Sequence, residues 1–238
     1  MIDGWHSEPV AGVVGGLGPL ATAQFLAAVV ECTGAETDQD NLDMLVSQHS
    51  STPDRTAYLL DDSMPDPAPV LIHDAQMLER MGADFLVIPC NTAHAFVEEI
   101  RASVDVDIVD ILEATVDELN SRVQRPAKVG LLATDGTRQS GMYQNALIEH
   151  GHEVILPSEE DQEKIMFVIY EQVKGGSAEQ PEALLEIIAN LREAGAEYFI
   201  LGCTELPIAA KNLGLLHEPW IVDSIESLAR ATVGRVKE

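Results

Sequence analysis

The sequence predicts an α/β protein of two similar α/β/α domains, each around a mostly parallel four-stranded sheet, related by pseudo-twofold symmetry with a cleft between them. Three observations carry this. Short apolar, β-branched runs alternate with longer amphipathic stretches, the pattern of a parallel sheet covered by helices on both faces. Phe85-Leu86-Val87-Ile88 is continuously apolar, as a strand buried on both faces should be. One passage also repeats. Met81-Gly82-Ala83-Asp84-Phe85-Leu86-Val87-Ile88-Pro89-Cys90-Asn91-Thr92 is echoed by Ala194-Gly195-Ala196-Glu197-Tyr198-Phe199-Ile200-Leu201-Gly202-Cys203-Thr204-Glu205. Gly-Ala-acid-apolar is common wherever a helix hands over to a strand. The shared cysteine, eight residues after the glycine in both copies, is what marks a duplication.

The elements follow in order. Strands are expected at 12–16, 44–48, 84–89 and 107–109, then at 128–133, 153–156, 197–202 and 220–222. Helical patterns fall at 20–32, 70–81, 93–102, 112–122, 139–150, 159–173, 182–194 and 224–236. The first strand runs into a glycine turn, and the helix after it opens with Pro19 at its first position. Gly82 and Gly195 stop helices before strands. The division falls near residues 111–113. The first domain is expected to comprise 1–111 together with 216–238, and the second 112–215.

Composition narrows the function. The 238 residues carry Lys+Arg 14 against Asp+Glu 40, a formal net charge of -26. Hydrophobic residues make up 46%, enough for a packed core in spite of that charge. Nucleic acid and anionic membrane surfaces both repel such a polyanion, so neither is an expected partner. No apolar run approaches the ~20 residues that span a bilayer. Residues 1–9 have neither a basic nor an apolar leader segment, and a cytoplasmic location is expected. Cys32, Cys90 and Cys203 are neither a disulfide framework nor a zinc pattern, and no metal is expected. The acidity fits a high-salt cytoplasm and an ordinary acidic protein equally well. Either way, an anionic substrate would approach against the field.

In parallel sheets, ligands sit at the carboxyl ends of strands. Cys90 and Cys203 both fall there, each before polar residues that can start a helix, where a thiol is acidified. A single free cysteine is most often a buried core residue, and Cys32, late on an apolar helix face, reads that way. The duplicated placement favours function for the other two. Facing one another across a pseudo-twofold axis, they could remove a proton from one face of a carbon and deliver one to the other. Gly16-Leu17-Gly18-Pro19-Leu20-Ala21 formally matches a dinucleotide fingerprint, but the second strand ends in Ser47-Gln48-His49 with no ribose-holding carboxylate. The loop instead reads as a turn whose N–H groups at Gly16 and Gly18 could approach a small anion; a tight turn alone is the alternative.

Four signatures resemble the aspartate/glutamate racemase family, most of all its aspartate racemase branch. They are Gly15-Gly16-Leu17-Gly18-Pro19-Leu20-Ala21-Thr22, Pro53-Asp54-Arg55-Thr56-Ala57-Tyr58, Pro89-Cys90-Asn91-Thr92-Ala93-His94 and Leu201-Gly202-Cys203-Thr204-Glu205-Leu206. A fifth, Ile169-Tyr170-Glu171-Gln172-Val173-Lys174, is similar as well. The resemblance implies a cofactor-independent racemase, without PLP or metal, that uses two catalytic cysteines. It implies an active site between two α/β domains, and usually a homodimer. Dedicated glutamate racemases typically carry Asp-Ser in the first loop and Cys-Thr-His at the second cysteine. Gly15-Gly16 and Cys203-Thr204-Glu205 favour aspartate, or a broader acidic substrate. Ser50-Ser51 stands where relatives often carry amides, and Asp135 where a small hydroxyl residue is commoner, which leaves the exact substrate open.

Carried over residue by residue, the resemblance makes Cys90 and Cys203 the acid/base pair and Arg55 and Lys174 partners of substrate carboxylates. An Arg fork fits a carboxylate bidentately and a Lys supplies a point charge. Read without the resemblance, Arg55 is a surface residue paired with Asp54, and Lys174 a cation ending a helix before Gly175-Gly176. Asn91, Thr92 and Thr204 are expected to bind the α-carboxylate and amine, Glu205 the ammonium, and Gly16, Gly18 and Thr134 to complete the substrate contacts. His94 is expected to orient or support, and His150 and His152 to lie on the surface. The rival readings are a related enzyme of the same fold (a glutamate or broad-specificity amino-acid racemase, a hydantoin racemase or a maleate isomerase) and a non-catalytic amino-acid-binding or thiol redox protein.

Overall fold

The computed structural model describes residues 9–176 and 182–237. Residues 1–8, where the leader expectation falls, lie outside the described residues. Two four-stranded sheets form, and every strand pair in them is parallel. The first contains β1 (Ala11–Gly15), β2 (Met44–Gln48), β3 (Phe85–Val87) and β4 (Asp107–Val109), in the order β2-β1-β3-β4. The second contains β5 (Lys128–Ala133), β6 (Glu153–Ile155), β7 (Tyr198–Gly202) and β8 (Ile221–Asp223), in the order β6-β5-β7-β8. The helices are α1 (Pro19–Thr33), α2 (Arg55–Leu60), α3 (Ala68–Met81), α4 (Val97–Arg101), α5 (Ile111–Arg122) and α6 (Asp135–Ser140). They continue with α7 (Met142–Glu149), α8 (Glu159–Phe167), α9 (Glu182–Glu193), α10 (Leu206–Asn212) and α11 (Ser224–Lys237). Among the described residues no helix is long and apolar enough to cross a membrane.

The duplication is physical. Leu86 pairs with Ile108 in the first sheet, and Phe199 with Ile221 at the matching place in the second. Gly82 and Gly195 both take φ +102°, a left-handed turn that ends a helix and that only glycine adopts without strain. Asp110 and Asp223 close the fourth strand of each sheet and cap the next helix: Asp110 accepts from the N–H groups of Leu112 and Glu113, Asp223 from those of Ile225 and Glu226. The central strands β1, β3 and β7 carry the buried apolar runs that a sheet covered on both faces requires.

Several expected boundaries shift. Segment 93–102 opens with a tighter 3₁₀ turn (Thr92–Phe96) before α4, and 139–150 is interrupted at Gly141 between α6 and α7. Segment 159–173 changes at Val168 from α8 into a π-helical turn (Val168–Lys174). Residues 216–238, expected with the first domain, divide. β8 hydrogen-bonds to β7 and finishes the second sheet, because β7 needs a partner on its far side. The helix α11 instead buries Ile225, Leu228 and Val233 in one cluster with Phe25 and Val29 of α1 and Ile111 of α5. His152 is buried rather than on the surface: its Nδ1 accepts from Ala127 N at 3.1 Å and its Nε2 lies 2.9 Å from Asn120 Oδ1. His150 is exposed, as expected, and Cys32 is only half-buried.

Candidate active site

The carboxyl ends of β1, β3, β5 and β7 converge on a narrow cleft. It is lined by Leu17, Asp54, Arg55, Thr56, Cys90, Asn91, Thr92, Thr134, Tyr170, Lys174, Cys203, Thr204 and Glu205. Nine expected site residues therefore meet in one place, although they come from five separate stretches of chain. Both cysteines are free thiols at 5% exposure. Parallel topology explains the convergence: every strand in each sheet ends on the same side, so loops distant in sequence share one rim.

The two thiols have different neighbours. Arg55 lies beside Cys90. Burial opposes its charge, but the Cys90 and Asp54 charges outweigh it and hold the guanidinium above its ordinary value. The sulfur of Cys203 donates to Glu205 Oε2 at 3.0 Å. Burial first, and the Glu205 charge second, push the Cys203 thiol well up, against the pull of Lys174. Glu205 is itself held: Thr204 Oγ1 donates to its Oε2 at 3.1 Å, and Lys174 Nζ stands 3.9 Å from its Oε1. Lys174 also lies 4.3 Å over the Tyr170 ring. Burial pushes this ammonium down, but Glu205 and then Cys203 outweigh it, so Lys174 stays charged.

Several expected roles change on inspection. The Arg55 fork is already occupied. Its Nη2 donates to Leu17 O at 2.7 Å, and its Nη1 to Pro53 O at 2.9 Å and Thr52 O at 3.4 Å. Only Nε is buried with no hydrogen-bond partner among the described residues. Gly16 does not line the cleft, and its N–H donates to Thr22 Oγ1 at 3.0 Å, so it offers nothing to an anion. Gly18 stands behind the cleft, and a Cβ there would lie 2.7 Å from Glu205 Oε1. Thr92, Thr134 and Thr137 form a triangle of hydroxyls with edges of 3.0, 3.0 and 3.1 Å, joining the loops after β3 and β5. The Asn91 amide, although at the cleft, is bonded to the buried side chains of Tyr143 and Ser224.

His94 supports the first cysteine loop. Its Nδ1–H donates to Cys90 O at 2.9 Å, and its Nε2 accepts from Ile111 N at 3.2 Å. Burial pushes its pKa down, against the Asp110 charge, so the ring is neutral and its tautomer fixed. Asp54, Thr56 and Tyr170 were not expected in the cleft, although all three sit inside the motifs quoted above. Tyr170 OH donates to Asp54 Oδ2 at 3.2 Å, and Asp54 Oδ1 accepts from Ala57 N at 2.8 Å as the cap of α2. This contact joins the π-helical turn to the N-terminus of α2. Among the described residues no three His, Cys, Asp or Glu side chains gather as a metal-binding set.

Fold and cleft together are those of a racemase class, in which two parallel α/β units enclose the site. The chain belongs to the Asp/Glu/hydantoin racemase family, whose sequence profile matches residues 14–232, and is an isomerase of the amino-acid racemase type. It is 31% identical over 227 residues to the broad specificity amino-acid racemase RacX of Bacillus subtilis, covering 93% of this chain and 96% of that protein. The aspartate racemase of Picrophilus torridus superposes with a TM-score of 0.82 at 25% identity, covering 95% of this chain and 94% of that one. An aspartate racemase homologue from Pyrococcus horikoshii superposes at 0.77 with 27% identity, over 97% and 100% of the two chains.

Proposed function

We propose that this racemase interconverts L- and D-aspartate, with glutamate as a second substrate, by proton transfer between Cys90 and Cys203 without a cofactor. The observation that supports it is the pair of buried thiols at duplicated strand ends on one cleft. The α-proton of a zwitterion is very weakly acidic, so the base needs an electrostatic partner that stabilises the carbanionic transition state. Cys90 beside the Arg55 cation is suited to take the proton. Cys203, its S–H already pointed along a hydrogen bond, is suited to give one to the opposite face. The roles exchange for the other hand, and the two thiols titrate as a coupled pair. Lys174 and the loops that carry Thr92, Thr134 and Thr204 are proposed to hold the carboxylates, and Glu205 the ammonium. The wider proposal is a cytoplasmic homodimer whose chain divides into two domains near residue 111; sedimentation velocity tests the dimer.

A second reading, of broader specificity, is favoured by the occupied Arg55 fork. With Asp54 and Glu205 set against Arg55 and Lys174, formal charge in the cleft balances, so a second substrate carboxylate gains less than two free cations would give it. The broad specificity of the Bacillus subtilis relative supports the same reading. Circular dichroism of L-aspartate, L-glutamate and neutral L-amino acids, without PLP and with a chelator, separates the two; maleate and a hydantoin belong in the same panel. Racemisation confined to the acidic pair upholds the first reading. Cys90→Ala and Cys203→Ala are each expected to lose racemisation by at least about a hundredfold, in line with the usual weight of acid/base catalysis. A wild-type rate in either variant ends the two-cysteine mechanism.

A further inference from the structure

Asn91 follows Cys90 in sequence and lines the cleft, and both its Oδ1 and its Nδ2 have buried side-chain partners. The Tyr143 hydroxyl, from α7, donates to Asn91 Oδ1 at 2.6 Å and lies 3.3 Å from Thr115 Oγ1. Asn91 Nδ2 donates to Ser224 Oγ at 3.0 Å, and Ser224 Oγ donates in turn to Leu201 O at 2.8 Å. Leu201 lies on β7, two residues before Cys203. Tyr143, Ser224 and Thr115 are fully buried and Asn91 is 2% exposed. Because Ser224 spends its hydrogen on Leu201 O, Asn91 meets it through Nδ2, which leaves Oδ1 to face the Tyr143 hydroxyl. Burial pushes the Tyr143 hydroxyl far up, so it remains a donor at any working pH.

We infer that Asn91, Tyr143 and Ser224 form a positioning strap that fixes the Cys90 loop relative to the Cys203 loop. The inference rests on the two-cysteine reading above. A thiol pair that must act on opposite faces of one carbon needs both sulfurs in register with it. A displacement of about 1 Å can cost on the order of a hundredfold in rate. Tyr143 and Ser224 do not line the cleft, so they act on the thiols through the residues they hold, Asn91 and Leu201 among them.

The test uses Tyr143→Phe, which keeps the ring and removes the donor, and Ser224→Ala, which removes the middle link. Each variant is assayed in deuterated water with the preferred amino acid. Racemisation is followed by circular dichroism, and deuterium entering the unreacted enantiomer by mass spectrometry. A slackened strap leaves proton abstraction by one thiol in place but spoils delivery from the other. The expected result is a kcat for racemisation lower by about tenfold or more, KM within about twofold, and a raised ratio of same-face exchange to racemisation. The double variant should lose little beyond the worse single one, because the links act as one unit. An unchanged exchange-to-racemisation ratio in both variants overturns the strap, whatever happens to the melting temperature. The outcome is separable from the parent reading: if Cys90→Ala and Cys203→Ala are inactive while both strap variants keep the wild-type ratio, only the strap fails.

Discussion

At Cys203, burial first and the neighbouring carboxylate second keep the proton on the sulfur. Glu205 accepts its S–H and raises its pKa, while the corresponding place after Cys90 is filled by Thr92, which spends its hydroxyl on other threonines. Glu205→Gln removes a negative charge that opposes the thiolate. The variant should therefore form the Cys203 thiolate at lower pH, seen as an alkaline-ward ultraviolet thiolate titration that begins earlier than in the wild type. An unmoved titration would assign the raised pKa to burial alone. The sequence made both cysteines readable as functional because each ends a duplicated strand. It could not reveal that the fork of Arg55 is spent on Leu17, Thr52 and Pro53, since a guanidinium's partners depend on how a loop folds back and not on residue type. The side-chain partners of Asn91 were illegible for the same reason. Its partner Tyr143 is 52 residues away, on an element whose register no local pattern reveals.

Helices and loops set how closely the halves approach. A Cβ on Gly18 would lie 2.7 Å from Glu205 Oε1, the mobile end of a side chain; on Gly136 it would lie 2.9 Å from Thr56 Cα and 3.2 Å from Thr92 Cγ2. Backbone gives way less readily than a carboxylate. Gly136→Ala should lower stability by about 1–3 kcal/mol and the melting temperature with it, whereas Gly18→Ala should leave melting nearly unchanged and lower kcat by moving Glu205. Equal melting temperatures for the two variants would refute this ranking. At the cap of α11, burial raises the Asp223 carboxyl from 3.8 to about 6. Between those values the native chain holds a proton the unfolded chain has lost, so this contribution is full below 3.8 and is lost as pH rises through about 6. Asp223→Asn keeps an oxygen to cap the helix. Its stability relative to wild type should rise from pH 4 to pH 8 by about 3 kcal/mol or less, measured by urea unfolding at both pH values. The strands themselves were legible because buried parallel strands are continuously apolar. The π-helical turn that carries Tyr170 and Lys174 was not, because its sequence is a good helix and only tertiary contact decides its winding.

For the whole molecule, the net charge of -26 surrounds a cleft whose own formal charges balance. Distant repulsion of an anionic amino acid is screened over about 10 Å at 0.1 M salt. Added salt should therefore raise kcat/KM for aspartate and leave that for a neutral amino acid nearly flat. A steep fall with salt would mean that local attraction by Lys174 outweighs the exterior.

The glycine contacts reach further than packing. Gly18, after β1, rests on Glu205, two residues past Cys203; Gly136, after β5, rests on Thr92, two residues past Cys90. Each half thus supports the thiol loop of the other, as two copies of one ancestral half would on meeting about a twofold axis. Identical copies are bound to place the same residue beside both thiols. A single fused chain is free of that constraint, and this one has used the freedom to put a carboxylate on one side and a hydroxyl on the other.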